Sequence, residues 1–236
     1  MKVLRQAFGR AAFAALLAGG VASGCVSPRP TAKPVAPPSG YQGAALAARH
    51  GFHAVYEGEL RIWFHSFRAI WYIAAAPDSD RLAVAVLSPT GVKIMQMHGD
   101  SSGRECEVSL SVAARLRPYG EALWDGLWWS LAAGDPAAGV PWVLRRNRMI
   151  GSAAMGPVQA RVQAEANSGT LERIDLRRKG RRWVSIRLAD FREDAGRAYP
   201  AWIRVDSVRP RSRLVLTLKS MAWTSVPEGE PHDAGP

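Results

Sequence analysis

Cysteine is scarce in this chain of 236 residues: Cys25 and Cys106 are the only two, so no disulfide framework staples the fold. The five histidines, His50, His53, His65, His98 and His232, have neither the i, i+4 spacing nor the cysteine partners of a zinc site. No metal or other cofactor is expected. G-x-S-x-G, P-loop and G-x-G-x-x-G motifs are all missing. Gly99-Asp100-Ser101-Ser102-Gly103 has the look of a protease nucleophile loop, but without a matching His and Asp context it reads as a hairpin turn, and an enzyme is not expected. Acidic residues are also short, 20 against 31 lysines and arginines, for a net charge of +11. The apolar stretch 11–21 is too short to span a hydrocarbon core of ~30 Å as a mature helix.

That stretch makes sense as a leader. Lys2, Arg5 and Arg10 form a positive n-region, 11–21 an apolar h-region, and Ala22-Ser23-Gly24 a run of small residues before Cys25. Small residues followed by Cys resemble a bacterial lipobox, with Ala22 where Leu is usual. An ordinary signal peptide cut after Gly24 would also fit. In the lipobox reading Cys25 is acylated and anchors the chain in a membrane. Val26, in place of the Asp that retains enteric lipoproteins at the inner membrane, points to the outer membrane. Losing residues 1–24 removes three positive charges and leaves about +8 on 212 residues, enough for one core. An exported basic protein meets anionic lipid headgroups or acidic glycolipids rather than nucleic acid. Solvated charge without any specific partner explains the balance equally well. Residues 25–50, with Pro28, Pro30, Pro34, Pro37 and Pro38, read as an extended tether, and 226–236 as a flexible tail.

Between the tails, 51–225, the pattern is mainly β. Strand-length runs at 54–65, 68–75, 81–87, 91–98 and 105–112 are separated by turn residues such as Ser88-Pro89-Thr90-Gly91. After Pro118 the period changes: Leu123, Leu127, Trp128 and Leu131 form a helical stripe over 121–131, ended by Gly134 and Pro136. Six more strands follow, at 141–149, 158–166, 170–178, 181–188, 202–208 and 213–223, with Asn167-Ser168-Gly169 and Lys179-Gly180 as hairpin turns. This gives about eleven antiparallel strands with one helical insertion near the middle. Parity points Val162, Ala164, Ile174, Leu176, Val184, Ile186, Leu188, Leu214, Leu216 and Leu218 inward, leaving a greasy face that needs a cover. Cys106, in the alternating stretch 105–110, is expected to be buried and inert, its thiol pKa raised by the flanking carboxylates.

Four stretches resemble the LolB family of outer-membrane lipoprotein receptors. They are Gly58-Glu59-Leu60-Arg61-Ile62, the two strands flanking Pro89-Thr90-Gly91, the segment 121–136 with Trp124, Trp128 and Trp129, and the closing order of 183–188, 199–205 and 214–223. The resemblance implies an incomplete antiparallel half-barrel lidded by helix, and a carrier or acceptor that shelters acyl chains of lipid or of an acylated protein. It makes Pro89-Thr90-Gly91 the membrane-facing turn. Thr90 stands where the family carries an exposed Leu, a loss of about 1.5–3 kcal/mol of insertion drive, so lipoprotein insertion itself is not expected. The expected cavity wall is Trp124, Leu127, Trp128, Leu131, Ile174, Ile186 and Leu216. Arg177, Arg178, Arg181 and Arg182 form a basic tip, with Arg145-Arg146-Asn147-Arg148 as a second cluster; solvated turns are the simpler account of both, and contact with headgroup phosphates is the alternative. Trp128 and Trp129, being adjacent, are expected to face opposite ways, one into the cavity and one to an interface. The rival expectation is a structural lipoprotein of an envelope assembly whose cavity is filled by its own side chains.

Overall fold

The computed structural model describes residues 51–77, 79–109, 116–133, 142–194 and 197–224. Cys25, the leader, the tether and the tail 226–236 lie outside the described residues, as do Gly134 and Pro136.

Twelve strands form one antiparallel sheet. The first meander is β1 (Gly51–Ile62), β2 (His65–Pro77), β3 (Leu82–Leu87), β4 (Lys93–Gly99) and β5 (Arg104–Val108). Helix α1 (Arg117–Leu131) intervenes. The second meander is β6 (Val143–Arg145), β7 (Arg148–Met155), β8 (Val158–Glu165), β9 (Leu171–Arg178), β10 (Arg181–Asp194), β11 (Arg197–Ser207) and β12 (Ser212–Trp223). First and last strands pair, so the sheet runs β5-β4-β3-β2-β1-β12-β11-β10-β9-β8-β7-β6 and leaves β5 and β6 as unjoined edges. This is an open, incomplete barrel. Irregular registers at Val55/Tyr56, Val86/Leu87, Gln163/Ala164 and Arg182/Val184 supply bulges of the kind that bend strands.

The twelfth strand comes from a hairpin hidden inside 141–149. Arg146 (φ 46°) and Asn147 (φ 61°) turn the chain in two residues, splitting that run into β6 and β7. A second unsignalled turn lies at Trp63-Phe64, inside the expected strand 54–65, with Trp63 at φ 54°. Asn tolerates the left-handed region, whereas Arg and Trp rarely enter it, so neither turn carries the glycine that marks Lys179-Gly180.

Every inward residue expected from parity in the C-terminal sheet is buried, from Val162 on β8 to Leu218 on β12. Helix α1 lies on this wall, packed against β10, β11 and β5. It begins at Arg117, earlier than the stripe implies, because Pro118 sits in the first turn, where its missing N–H costs nothing. From Ala122 to Leu131 every residue is buried. Trp128 and Trp129 therefore do not divide between cavity and interface; both are interior, in edge-to-face contact with ring centroids 5.7 Å apart. Cys106 is exposed rather than buried, since β5 is an edge strand without an outer neighbour. Its sulfur still faces inward against Gly120 of α1, and that desolvation pushes the thiol pKa up despite Arg117 and Arg104 nearby.

The close approach of helix to sheet depends on Gly126, where a Cβ would collide with Val205 of β11. On an exposed helix, Gly→Ala stabilises by roughly 1 kcal/mol. Here Gly126→Ala is expected to destabilise by about 1–3 kcal/mol, read as a lower urea midpoint; a gain in stability would show that the helix does not sit this tightly.

Candidate functional site

The apolar wall exceeds what one helix of 15 residues covers, and the uncovered part forms a chamber of about 620 Å³ at the N-terminal end of α1. Leu60 and Ile62 of β1, Ala69 and Trp71 of β2, Val86 of β3, and Ile94 and Met95 of β4 line it. Leu116 and Tyr119 border it from the helix side. Trp63, Phe64, His65 and Phe67 stand at its rim. No carboxylate, lysine or arginine borders it among the described residues. Its volume lies within the usual range of small-ligand pockets, and a lining of this kind suits a hydrocarbon chain. The indole N–H of Trp71, packed against Gly58, has no partner among the described residues, an unmet buried donor costing about 1–3 kcal/mol.

The seven residues expected as cavity wall lie elsewhere. Trp124, Leu127, Trp128, Leu131, Ile174, Ile186 and Leu216 are all buried and belong to one packed core, and none of them lines this chamber. They are the contact between helix and sheet. The chamber sits over the first meander, and its rim is the β1–β2 turn that the sequence does not signal.

The helix is tied to both halves of the sheet. Asp125, 6% exposed, accepts hydrogen bonds from Arg104 Nη1 of β5 (2.9 Å), Arg178 Nη2 of β9 (2.8 Å) and Trp183 Nε1 of β10 (2.8 Å). One turn earlier, Glu121 pairs with the same two arginines at 3.3 and 3.0 Å. Arg178 also stacks on Trp183, 4.8 Å from the ring centroid. Trp128 Nε1 donates to the carbonyl of Asp80, in the β2–β3 connection, at 2.8 Å. These bonds span strands far apart in the sheet order and fix the lid in place.

The four tip arginines separate accordingly. Arg178 is turned to α1, and Arg177 borders a groove with Arg145 and Arg161 near the β6 edge. Arg181 is exposed, and Arg182 lies in a different groove on the outer face, with Trp63 and Phe64. The turn Pro89-Thr90-Gly91 is exposed and polar, with Thr90 Oγ1 bonded to Ser88 Oγ at 2.8 Å. No cluster of three or more His, Cys, Asp or Glu with metal-binding geometry occurs among the described residues.

Burial raises the Asp125 carboxyl above its ordinary pKa of 3.8, and Arg178, Arg104 and Trp183 only partly offset it. An acid whose folded pKa exceeds its unfolded one binds its proton more tightly when folded. Its contribution to stability therefore falls as pH rises from about 4 through the folded pKa. Wild type is expected to lose stability relative to Asp125→Asn across that window, in urea titrations run at a series of pH values; a relative gain would reverse the assignment. Asp125→Ala, which strands two guanidiniums and an indole N–H, is expected to cost about 2–4 kcal/mol, less than a fully buried pair because both arginines are partly exposed.

No protein-family model matches the sequence, and no curated protein matches it. Solved structures do. The fold is similar to that of a LolA superfamily protein from Nitrosomonas europaea, with TM-score 0.52 and 13% identity over 78% of this chain and 92% of that one. It is similar to an outer membrane lipoprotein-sorting protein domain from Vibrio parahaemolyticus, with TM-score 0.50 and 11% identity over 79% and 94%. A DUF1329 family protein from Desulfovibrio piger gives TM-score 0.51 and 11% identity over 77% and 91%. At such identity the likeness is one of architecture: this chain has a LolA/LolB-type fold, a single open antiparallel sheet curled over one central helix.

Proposed function

We propose that this chain is an outer-membrane lipoprotein, anchored through acylated Cys25, that holds an acyl chain of a lipid or of an acylated protein non-covalently in the rim chamber. The observation carrying this reading is the 620 Å³ apolar volume beneath the first turn of α1. Burial at roughly 25 cal/mol per Å² supplies the affinity, and no bond is made or broken, so the chain is a binding protein rather than an enzyme. The structural neighbours, one a lipoprotein-sorting domain, support a carrier with this architecture. Residues 26–50 reach at most about 80–90 Å when extended, roughly twice the length of β1, so an anchored domain can turn either end of its sheet to the membrane.

The alternative, an assembly lipoprotein without ligand, draws support from the packing of Leu123 through Leu131, which leaves the middle of the barrel self-filled. Lipid analysis of protein purified without denaturation separates the two, together with titration of a fluorescent fatty-acid probe. Co-purified lipid and probe uptake are expected. Ala69→Trp, which fills the chamber, is expected to weaken the probe tenfold or more. Ile174→Val, in the packed core, is expected to cost about 0.5–1.5 kcal/mol of stability and leave probe affinity unchanged. Absence of both lipid and probe binding would leave the assembly reading standing.

A further inference from the structure

Trp63 and Phe64 stand out as side chains the fold itself does not use. They form a two-residue hairpin turn where glycine or asparagine is the easy choice, and Trp63 occupies the left-handed region at φ 54°. They are 73% and 94% exposed. Strands of odd number all run to the same end of the sheet, so the β1–β2, β3–β4, β9–β10 and β11–β12 connections leave from one end. Of the seven large hydrophobic side chains exposed among the described residues, five are at this end: Trp63, Phe64, Phe67, Val92 and Val208.

Beside the two rings, on the outer face, lies a groove of about 670 Å³ lined by seven arginines and one carboxylate, Asp206. The strand register explains the crowding: Arg61, Arg213 and Asp206 are cross-strand partners, as are Arg173, Arg187 and Arg204. Asp206 takes Arg204 and Arg213 at 2.8 and 2.7 Å; Asp175 takes Arg173, and Glu59 takes Arg61. Arg182, Arg187 and Arg211 have no acidic partner among the described residues.

We propose that this rim docks on an anionic phospholipid bilayer, with the Trp63 and Phe64 rings in the headgroup region and the unpartnered guanidiniums on lipid phosphates. Tryptophan favours that interfacial depth, and arginine matches phosphate geometry. A free polyanion would leave the rings without a role, and an apolar protein surface would leave the guanidiniums without one; a charged bilayer uses both. The inference stands whether or not the chamber holds a ligand.

The test uses residues 25–236 carrying Cys25→Ser, so that neither an acyl anchor nor the apolar stretch 11–21 contributes, floated with vesicles of phosphatidylcholine alone or with one-third phosphatidylglycerol. Binding to the anionic vesicles is expected to be about tenfold tighter and to weaken steeply as salt rises. Trp63→Ala/Phe64→Ala is expected to lower affinity for both vesicles by about tenfold, and Arg182→Glu/Arg187→Glu to abolish the preference for anionic lipid. Salt-insensitive binding of the Cys25→Ser parent, full affinity in the aromatic variant, or a preference surviving charge reversal would each overturn the proposal; the salt series needs no further substitution. Arg182 and Arg187 do not border the chamber, so the charge-reversed variant should take up the fatty-acid probe normally. Loss of vesicle preference and loss of probe binding thus report on separate claims.

Discussion

The structure turns on one obligation: the concave face of the sheet is apolar along nearly its whole width, and water has to be kept off it. A single helix of 15 residues does most of this work by lying in the curl of the sheet rather than on top of it. Gly126 lets the two backbones close up at Val205, and the Asp125 carboxylate holds guanidiniums from β5 and β9 on the two sides of the helix. Coverage ends at the first turn of α1. The wall of β1 to β4 continues past it, and the chamber is what remains where cover runs out.

Placing the helix so deeply has consequences for the chemistry around it. Asp125 is drawn into a site where burial raises its pKa, and it stays satisfied only because three donors from separate strands meet there. A lid bonded to both halves of the sheet is a fixed wall. Access to the chamber runs through its rim, past Trp63, Phe64 and Phe67, which place aromatic surface at the mouth and into solvent.

Much of this was legible in the residues. Period-two alternation identified the buried face of β8, β9, β10 and β12 residue by residue, and the three- and four-residue spacing of Leu123, Leu127, Trp128 and Leu131 placed the helix. Two hairpins were not legible: Trp63-Phe64 and Arg146-Asn147 turn without glycine or proline, the first through two strong β residues and the second with Asn147 as its one turn-tolerant residue. Periodicity tells which face of an element is buried but not what buries it. Ile174, Ile186 and Leu216 do face the helix, yet they pack against it. Only the three-dimensional extent of α1 shows that the opening lies over the first meander instead. Cys106 shows the same limit, since parity gives its direction while its exposure follows from β5 being an edge.

The central claim is that an acyl chain sits under the first turn of α1 and not along its middle. Methyl NMR of protein labelled at isoleucine and methionine, titrated with a fatty acid, tests it most directly. Shifts are predicted at Ile62, Ile94 and Met95, with Ile174 and Ile186 unmoved. Shifts confined to Ile174 and Ile186, or no shifts at saturating fatty acid, would contradict it.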